Sequence, residues 1–316
     1  MALRRSGVKL WFDLKTKVPL TGTICQLGRQ TVDVSRGQVK IIAKQFGLSL
    51  PIIDSVQNDD KSQPASAMND VMLFKSLGFD SVSSVDLVEA DDPTHVFDLN
   101  EPAPEALREK FDCVFDGGTA EHVFNVPQLL RNMHFMLKPG GIIVHASPSS
   151  NHVDHGFHMF SPTFFYDYYT VNKYEVLQSY LFEYDPHKKF RPWNVYNYSP
   201  GSIDDLSIGG WDGVDALGIW FVARKKENSS SNVVPVQSFY LRQWSQDNAA
   251  GAPVAEAPAA TPGLLRKTIM GLAKKILKND SATYNHVRDF YLYVKEMVLK
   301  APFRRRPHRP PVIARY

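Results

Sequence analysis

The 316-residue chain has two cysteines, no Cys-x-x-Cys pair, no Gly-x-Gly-x-x-Gly and no uninterrupted apolar run long enough to span a bilayer. Each absence removes a class. Two cysteines cannot build a disulfide framework, and Cys25 and Cys113 both fall in strand-like apolar runs, where a free thiol serves as a small buried hydrophobe. A membrane helix needs roughly 18 consecutive apolar residues, so no spanning segment is expected. The start, MALRRSGVKLWFDL, is basic, but Lys9 and Asp13, with Lys15 following, break the apolar core of a secretory signal, which points to a cytoplasmic address. The missing dinucleotide fingerprint counts against a nicotinamide enzyme. No repeat occurs at solenoid periods.

Acidic residues are scarce in one region. From Leu264 to the end thirteen Lys and Arg face three acids, Asp280, Asp289 and Glu296. That tail carries +10, which leaves −7 on the rest of a chain of net charge +3. Between them DNAAGAPVAEAPAATPG, residues 247–263, is too rich in Ala, Pro and Gly to pack a core and reads as a linker. The expected organisation is an α/β domain over 1–246, the linker, and a basic helical tail over 264–316. In the tail, LLRKTIMGLAKKILK and SATYNHVRDFYLYVKEMVLK each gather apolar residues on one face with lysines largely opposite. Such a segment suits an anionic membrane surface, which would make the protein peripheral there, or a protein partner. Nucleic acid ranks behind both, because the body is acidic and no recognition motif is present.

The composition of the body, 43% hydrophobic and 22% charged overall, is that of a globular protein. Strand and helix signals alternate along it. GTICQLGRQ (22–30) is β-rich, and Ser35 is placed to cap a helix carrying Val39, Ile42, Ala43 and Phe46 at helical spacing. NDVMLFKSLGF (69–79) reads as a helix ending at Gly78, and DSVSSVDL (80–87) and THVFDLNE (94–101) as strands. FDCVFD (111–116) and GGIIVHAS (140–147) flank a helix marked by Val126, Leu129, Leu130, Met133 and Leu137. YEVLQSYLFEYD (174–185) and ALGIWFVARKK (216–226) follow with no helical pattern between them. The expected fold is α/β: a doubly wound, mostly parallel sheet closed by an antiparallel hairpin, with a C-terminal helical appendage.

The stretch FDCVFDGGTAEHVFNVPQLLRNMHFMLKPGG (111–141) resembles the block in class I S-adenosylmethionine-dependent methyltransferases that runs from the fourth strand, through a Glu-His pair and a helix, to the Lys-Pro-Gly-Gly turn before the fifth strand. The resemblance spans about residues 20–225 and implies S-adenosylmethionine as cofactor. It implies that Gln26, Gly28 and Arg29 form the first cofactor loop, with Arg29 on the cofactor carboxylate. The family's Gly-x-Gly-x-Gly is absent there, since Leu27 is followed by Gly28, Arg29, Gln30 and Thr31. It implies further that Asp86, with Glu89 as rival, holds the ribose hydroxyls, that Asp98 or Asn100 meets the adenine, and that Asp116, Gly117 and Gly118 turn past the methionine side.

Glu121 and His122 are candidates for holding substrate or for capping a helix. In SPSSNHVDHGFHMFSP (147–162), His152, His155 and His158 stand three apart with Asp154 among them. A histidine there could take the proton of a hydroxyl acceptor, with His152 and His155 preferred. The three could instead hold a divalent metal, or simply pack among aromatics. The aromatic segments 160–169 and 193–198 are candidate walls for a sugar, glycan or other small acceptor. The first reading is an O-methyltransferase. The alternative is a non-catalytic interaction protein whose degenerate loop has lost the cofactor and which acts through its basic tail. A third keeps the fold with a nucleotide-sugar or nicotinamide cofactor.

Overall fold

The computed structural model describes residues 3–50, 68–188, 191–206, 211, 215–249 and 311–316. The chain divides into two compact units, Met1–Ile203 with Gly213–Phe239 and Pro310–Tyr316, and Asp204–Asp212 with Tyr240–Arg309. The first holds one nine-stranded sheet. In chain order the elements of the described residues are α1 (Arg5–Lys17), β1 (Thr23–Leu27), α2 (Arg36–Gln45), α3 (Asp70–Leu77), β2 (Ser81–Asp86), β3 (His95–Val96), β4 (Phe111–Asp116), α4 (Val126–Met136), β5 (Leu137–Ser150), α5 (Pro162–Val171), β6 (Glu175–Tyr184), β7 (Asn194–Asn197), β8 (Ala216–Arg224), α6 (Ser238–Ala249), most of which belongs to the second unit, and β9 (Val312–Arg315). The strand order is β3-β2-β1-β4-β5-β8-β6-β7-β9. The first five strands are parallel, and β8 enters antiparallel between β5 and β6.

Local chemistry explains the helices. Ser35 accepts from the Gln38 amide while the Gln38 side chain accepts from the Ser35 amide, a reciprocal cap. Asn69 caps α3 and Asn125 caps α4, and α3 stops at Gly78. Period-two alternation then divides the sheet's two faces. Ile142, Val144 and Ala146 of β5 join the core under α1, α2 and α3, where Trp11 meets Phe74, Phe115 and Trp220 edge-on at 5.1, 5.0 and 5.5 Å. The intervening Ile143, His145 and Ser147 face the other way, where His145 stacks on Phe165 of α5 at 4.3 Å and Tyr169 on Phe221 at 5.4 Å.

Several elements depart from the sequence expectation. The strand expected over 94–101 contracts to His95–Val96, because Asp98 and Asn100 turn the chain by bonding to each other. The basic start is the amphipathic α1, whose Leu10, Trp11, Phe12 and Leu14 are buried. The aromatic segment 160–169 is mostly α5. Its Phe165, Tyr168 and Tyr169 lie inside the protein, as do Tyr196 and Tyr198, so these rings fill core; Trp193, also buried, lines a small cavity with Gly7, Phe182 and Trp220. Trp193 stacks flat on Phe182 at 4.5 Å. The tail is not helical at its end: Val312–Arg315 is strand β9, paired antiparallel with β7. The two amphipathic stretches of the tail lie outside the described residues, as does the linker beyond the end of α6. Cys25 and Cys113 are buried free thiols. Among the described residues no helix is long and apolar enough to cross a membrane.

Candidate functional site

Register aligns the carboxyl ends of the parallel strands. Leu27 pairs with Val85 and Asp116, Asp86 with Val96, and Asp116 with His145. The loops that begin at Gly28, Leu87, Phe97 and Gly117 therefore leave one edge, and β5 runs past it to Ser150. In an open parallel sheet this edge is where ligands bind, at the point where strand order reverses, here between β1 and β4.

At that reversal the protein has bonded to itself. Asp70, at the start of α3, is buried and takes Arg29 through both carboxylate oxygens at 2.7 and 2.8 Å and the Gln26 side-chain amide at 3.0 Å. Burial works to raise the Asp70 pKa, but the Arg29 bonds outweigh it and hold the carboxyl below its ordinary range. Arg29, expected on a cofactor carboxylate, is thus clamped by an internal acid. Gly28 sits at φ +70°, a conformation that favours glycine, and gives its N–H to the Val85 carbonyl. Thr119 donates its hydroxyl to the Leu27 carbonyl at 2.6 Å, joining the loops after β1 and β4. Gly117 has no room for a side chain: a Cβ there would lie 2.5 Å from the Gln30 side chain, which packs against it.

Asp116 is also directed inward. Fully buried, it accepts from the Gly118, Thr119 and Ala120 amides, from Ser147 at 3.1 Å and from His145 Nδ1 at 2.8 Å, and His145 Nε2 meets the Tyr169 hydroxyl at 2.7 Å. Burial opposes its ionisation, but His145 and the amides prevail and keep the carboxyl below its usual range. Asp116 is therefore a hub of the fold, and its side chain shapes the Gly117-Gly118 turn. His145, Ser147 and Tyr169 were not legible as a set, although a histidine on a buried strand face, in GGIIVHAS, is the signal that marks such a hub.

The nucleoside side is more open. Asp86 is half-buried at the end of β2, with Oδ1 accepting from the Leu87 amide at 2.7 Å, and Leu87 and Val88 beside it are exposed apolar side chains. Glu89 opens a short exposed turn, Glu89–Asp91. Asp98 Oδ1 accepts from the Asn100 backbone and side chain at 2.8 Å, and Asn100 in turn receives the Asn125 amide. An acid beside exposed apolar surface suits the diol of a ribose and the face of a purine, so the residues present fit the nucleoside half of S-adenosylmethionine.

The loops after β4 and β5 meet at a second polar cluster. Glu121 lies in a short turn, Ala120–His122, with its side chain wholly buried, and neither carboxylate oxygen has a hydrogen bond among the described residues. His155 Nε2 stands 3.5 Å from Oε1 and His122 Nε2 4.0 Å, with those two histidine side chains 45% and 50% exposed. The His122 and His155 rings are 5.2 Å apart and those of His152 and His155 5.6 Å, while His152 Nε2 meets the Tyr184 hydroxyl at 3.2 Å. Burial, then the negative Asp116, lifts the Glu121 pKa to about 7. Burial, then His155, lowers both His122 and His152. The loop pressing on Glu121 is strained: Asn151 and Asp154 adopt φ of +62° and +64°, and a Cβ on Gly156 would lie 2.7 Å from the Glu121 carbonyl. His158 turns away, its Nε2 on the Phe124 carbonyl at 3.3 Å and its ring on Phe160. The structure thus brings Glu121, His122, His152 and His155 together and separates His158 from them.

Residues 43–188 match the family model described as a methyltransferase domain. With the strand order above, that decides the class.

The described sheet has the class I methyltransferase fold.

Solved structures similar to the chain include TehB from Haemophilus influenzae at 13% identity and TM-score 0.35, covering 68% of this chain and 61% of that one. They also include a SAM-dependent methyltransferase from Archaeoglobus fulgidus at 13% identity and TM-score 0.36, covering 70% and 94%. A third is the Burkholderia thailandensis 1,6-didemethyltoxoflavin-N1-methyltransferase with bound S-adenosylhomocysteine, at 13% identity and TM-score 0.34, covering 71% and 78%. The chain spans about three-fifths of the TehB structure. No curated protein matches. At these scores the structural likeness carries no argument about what the methyltransferase domain acts on.

Proposed function

We propose that the protein transfers a methyl group from S-adenosylmethionine to a hydroxyl of a sugar, glycan or other small acceptor, and that the acceptor proton leaves at the Glu121–His155 centre. The observation that carries this reading is the wholly buried Glu121 carboxylate, without a hydrogen bond, facing two half-exposed histidines at the ligand edge of the sheet. Asp86 would hold the ribose and Asp98 or Asn100 the adenine, with the backbone of Gly28 and Gly118 beside the methionine side. When bound, the cofactor supplies an electrophilic methyl on a sulfonium.

The chain's own task is to place the acceptor and take its proton. His155 accepts the proton from the acceptor oxygen, and the Glu121 carboxylate, whose Oε1 stands 3.5 Å from Nε2, steadies the imidazolium. With a pKa of about 7, Glu121 is poised to share that proton at neutral pH. Phe124 and Phe157, paired edge-on at 5.6 Å, stand exposed next to these histidines and offer an acceptor an apolar face while displacing water. Candidate acceptors incubated with labelled methyl donor test the reading. Methyl incorporation lost in His155→Ala and retained in His158→Ala supports it, and equal incorporation in both variants overturns the role of His155.

A further inference from the structure

We propose that Glu121, His122 and His155 form a binding site for a divalent transition cation. The inference concerns the same cluster as the proposed methyl transfer and rests on that reading only for the statement that an acceptor oxygen comes there; cation binding stands on its own observations.

Oε1 of Glu121 and Nε2 of His122 and His155 belong to three side chains whose ligating atoms all lie within 4.8 Å of one another. Bonds to such cations are about 2.0–2.2 Å for nitrogen and carboxylate oxygen, which at tetrahedral angles sets ligand atoms roughly 3.4 Å apart; His155 already stands at 3.5 Å from Oε1, and His122, at 4.0 Å, swings inward to complete the set. Both are half-exposed and can rotate, and their exposure gives an entry path. The carboxylate provides the independent sign of a ligand. Its side chain is wholly buried, it points at the two histidines, and neither oxygen has a hydrogen bond among the described residues. A buried acid without partners is costly unless a proton or a cation satisfies it. Gly156 and the positive-φ residues Asn151 and Asp154 hold the loop that brings His155 over the carboxylate.

One carboxylate and two imidazoles, without sulfur, suit Zn²⁺, Mn²⁺, Fe²⁺, Co²⁺ or Ni²⁺ rather than Ca²⁺ or Cu⁺. Three protein ligands leave positions open, and an acceptor hydroxyl bound in one of them would lose its proton more readily. With the cation bound, the His155 nitrogen that ligates it is no longer a base, and His152, the neighbouring imidazole outside the ligand set, takes that proton in its place. The set differs from the sequence-level candidate of His152, His155 and His158, because His158 is engaged by the Phe124 carbonyl.

The test is titration of the tag-free, chelator-treated full chain with Co²⁺, followed by visible absorption, with Zn²⁺ as competitor and thermal unfolding as a second readout. One equivalent should bind and raise the melting temperature. Glu121→Gln, nearly the same shape, and His122→Ala should each weaken binding by about 10-fold or more, while His158→Ala leaves it unchanged. A folded native chain that binds no cation overturns the site. So does binding that survives both Glu121→Gln and His122→Ala, or that is lost in His158→Ala. The two readings fail separately. Methyl transfer that persists in chelator and is lost in His155→Ala keeps the proposed function without the cation. Site-specific cation binding with no acceptor methylated keeps the cation without the function.

Discussion

Two polar clusters lie at the same edge of one sheet and differ in how they are satisfied. Around β1 and β4, Arg29 is bound to Asp70, Gln30 packs on Gly117, Thr119 bonds the Leu27 carbonyl, and Asp116 is held by His145, Ser147 and three amides. A few residues further along the chain, Glu121 is as deeply buried as Asp116 yet has no hydrogen bond. Both acids bear the cost of leaving water, but only one recovers it from its own chain. Asp116 is consequently held ionised and Glu121 is pushed toward its neutral form, opposite shifts in two acids five residues apart. The paired cluster builds the edge, and the unpaired one is the group assigned to binding in the proposals above.

The largest expected effect breaks the paired side. Asp116→Ala removes the acceptor for five donors and strands His145 in the core, which should cost about 3–5 kcal/mol of stability in chemical denaturation. A loss below about 1 kcal/mol would mean that the hub is not structural.

Next in size is a pH effect on the unpaired side. In cation-free protein Glu121 keeps its proton up to about pH 7, whereas the unfolded chain releases it near the ordinary 4.5. Between those values the folded state binds more protons, so this group's contribution falls as pH rises and levels off above 7, by about 3 kcal/mol in all. Glu121→Gln should be flatter than the native chain across that window, and parallel pH profiles would contradict the assignment.

These contrasts were only partly legible in the sequence. The alternation of strand and helix patterns, the Ser35 cap and the Gly78 stop fix β1 to β5 because they depend on near neighbours. Glu121, His122, His152 and His155 were named from their chemistry and position after β4 and β5, and the structure does gather them. Arg29 was not legible as a structural residue, because its partner Asp70 is 41 positions away and only the fold brings them together. The same applies to β9, whose partner β7 lies more than a hundred residues upstream. Most aromatic residues of 160–169 and 193–198, read as cleft walls, are buried, and of them Trp193 lines a cavity; surface and core aromatics look alike until burial is known.

A third effect sharpens the contrast through chemistry. His155→Ala should lower turnover about 100-fold, the scale of a lost general base, and leave affinity for S-adenosylhomocysteine unchanged. Weaker S-adenosylhomocysteine binding with turnover preserved would place His155 on the cofactor side instead. The smallest effect concerns Asp86→Ala, which should weaken S-adenosylhomocysteine by about 10-fold if the carboxylate holds the ribose diol. Unchanged affinity by calorimetry removes that role.

The most direct measurement of the central claim is calorimetric titration of S-adenosylhomocysteine into the native chain and into Glu121→Gln. The proposed division of the edge, with the cofactor along β1 to β3 and the unpaired carboxylate serving the acceptor, predicts one site with equal affinity in both proteins. Absence of binding by folded native protein, or binding abolished by Glu121→Gln, would contradict it.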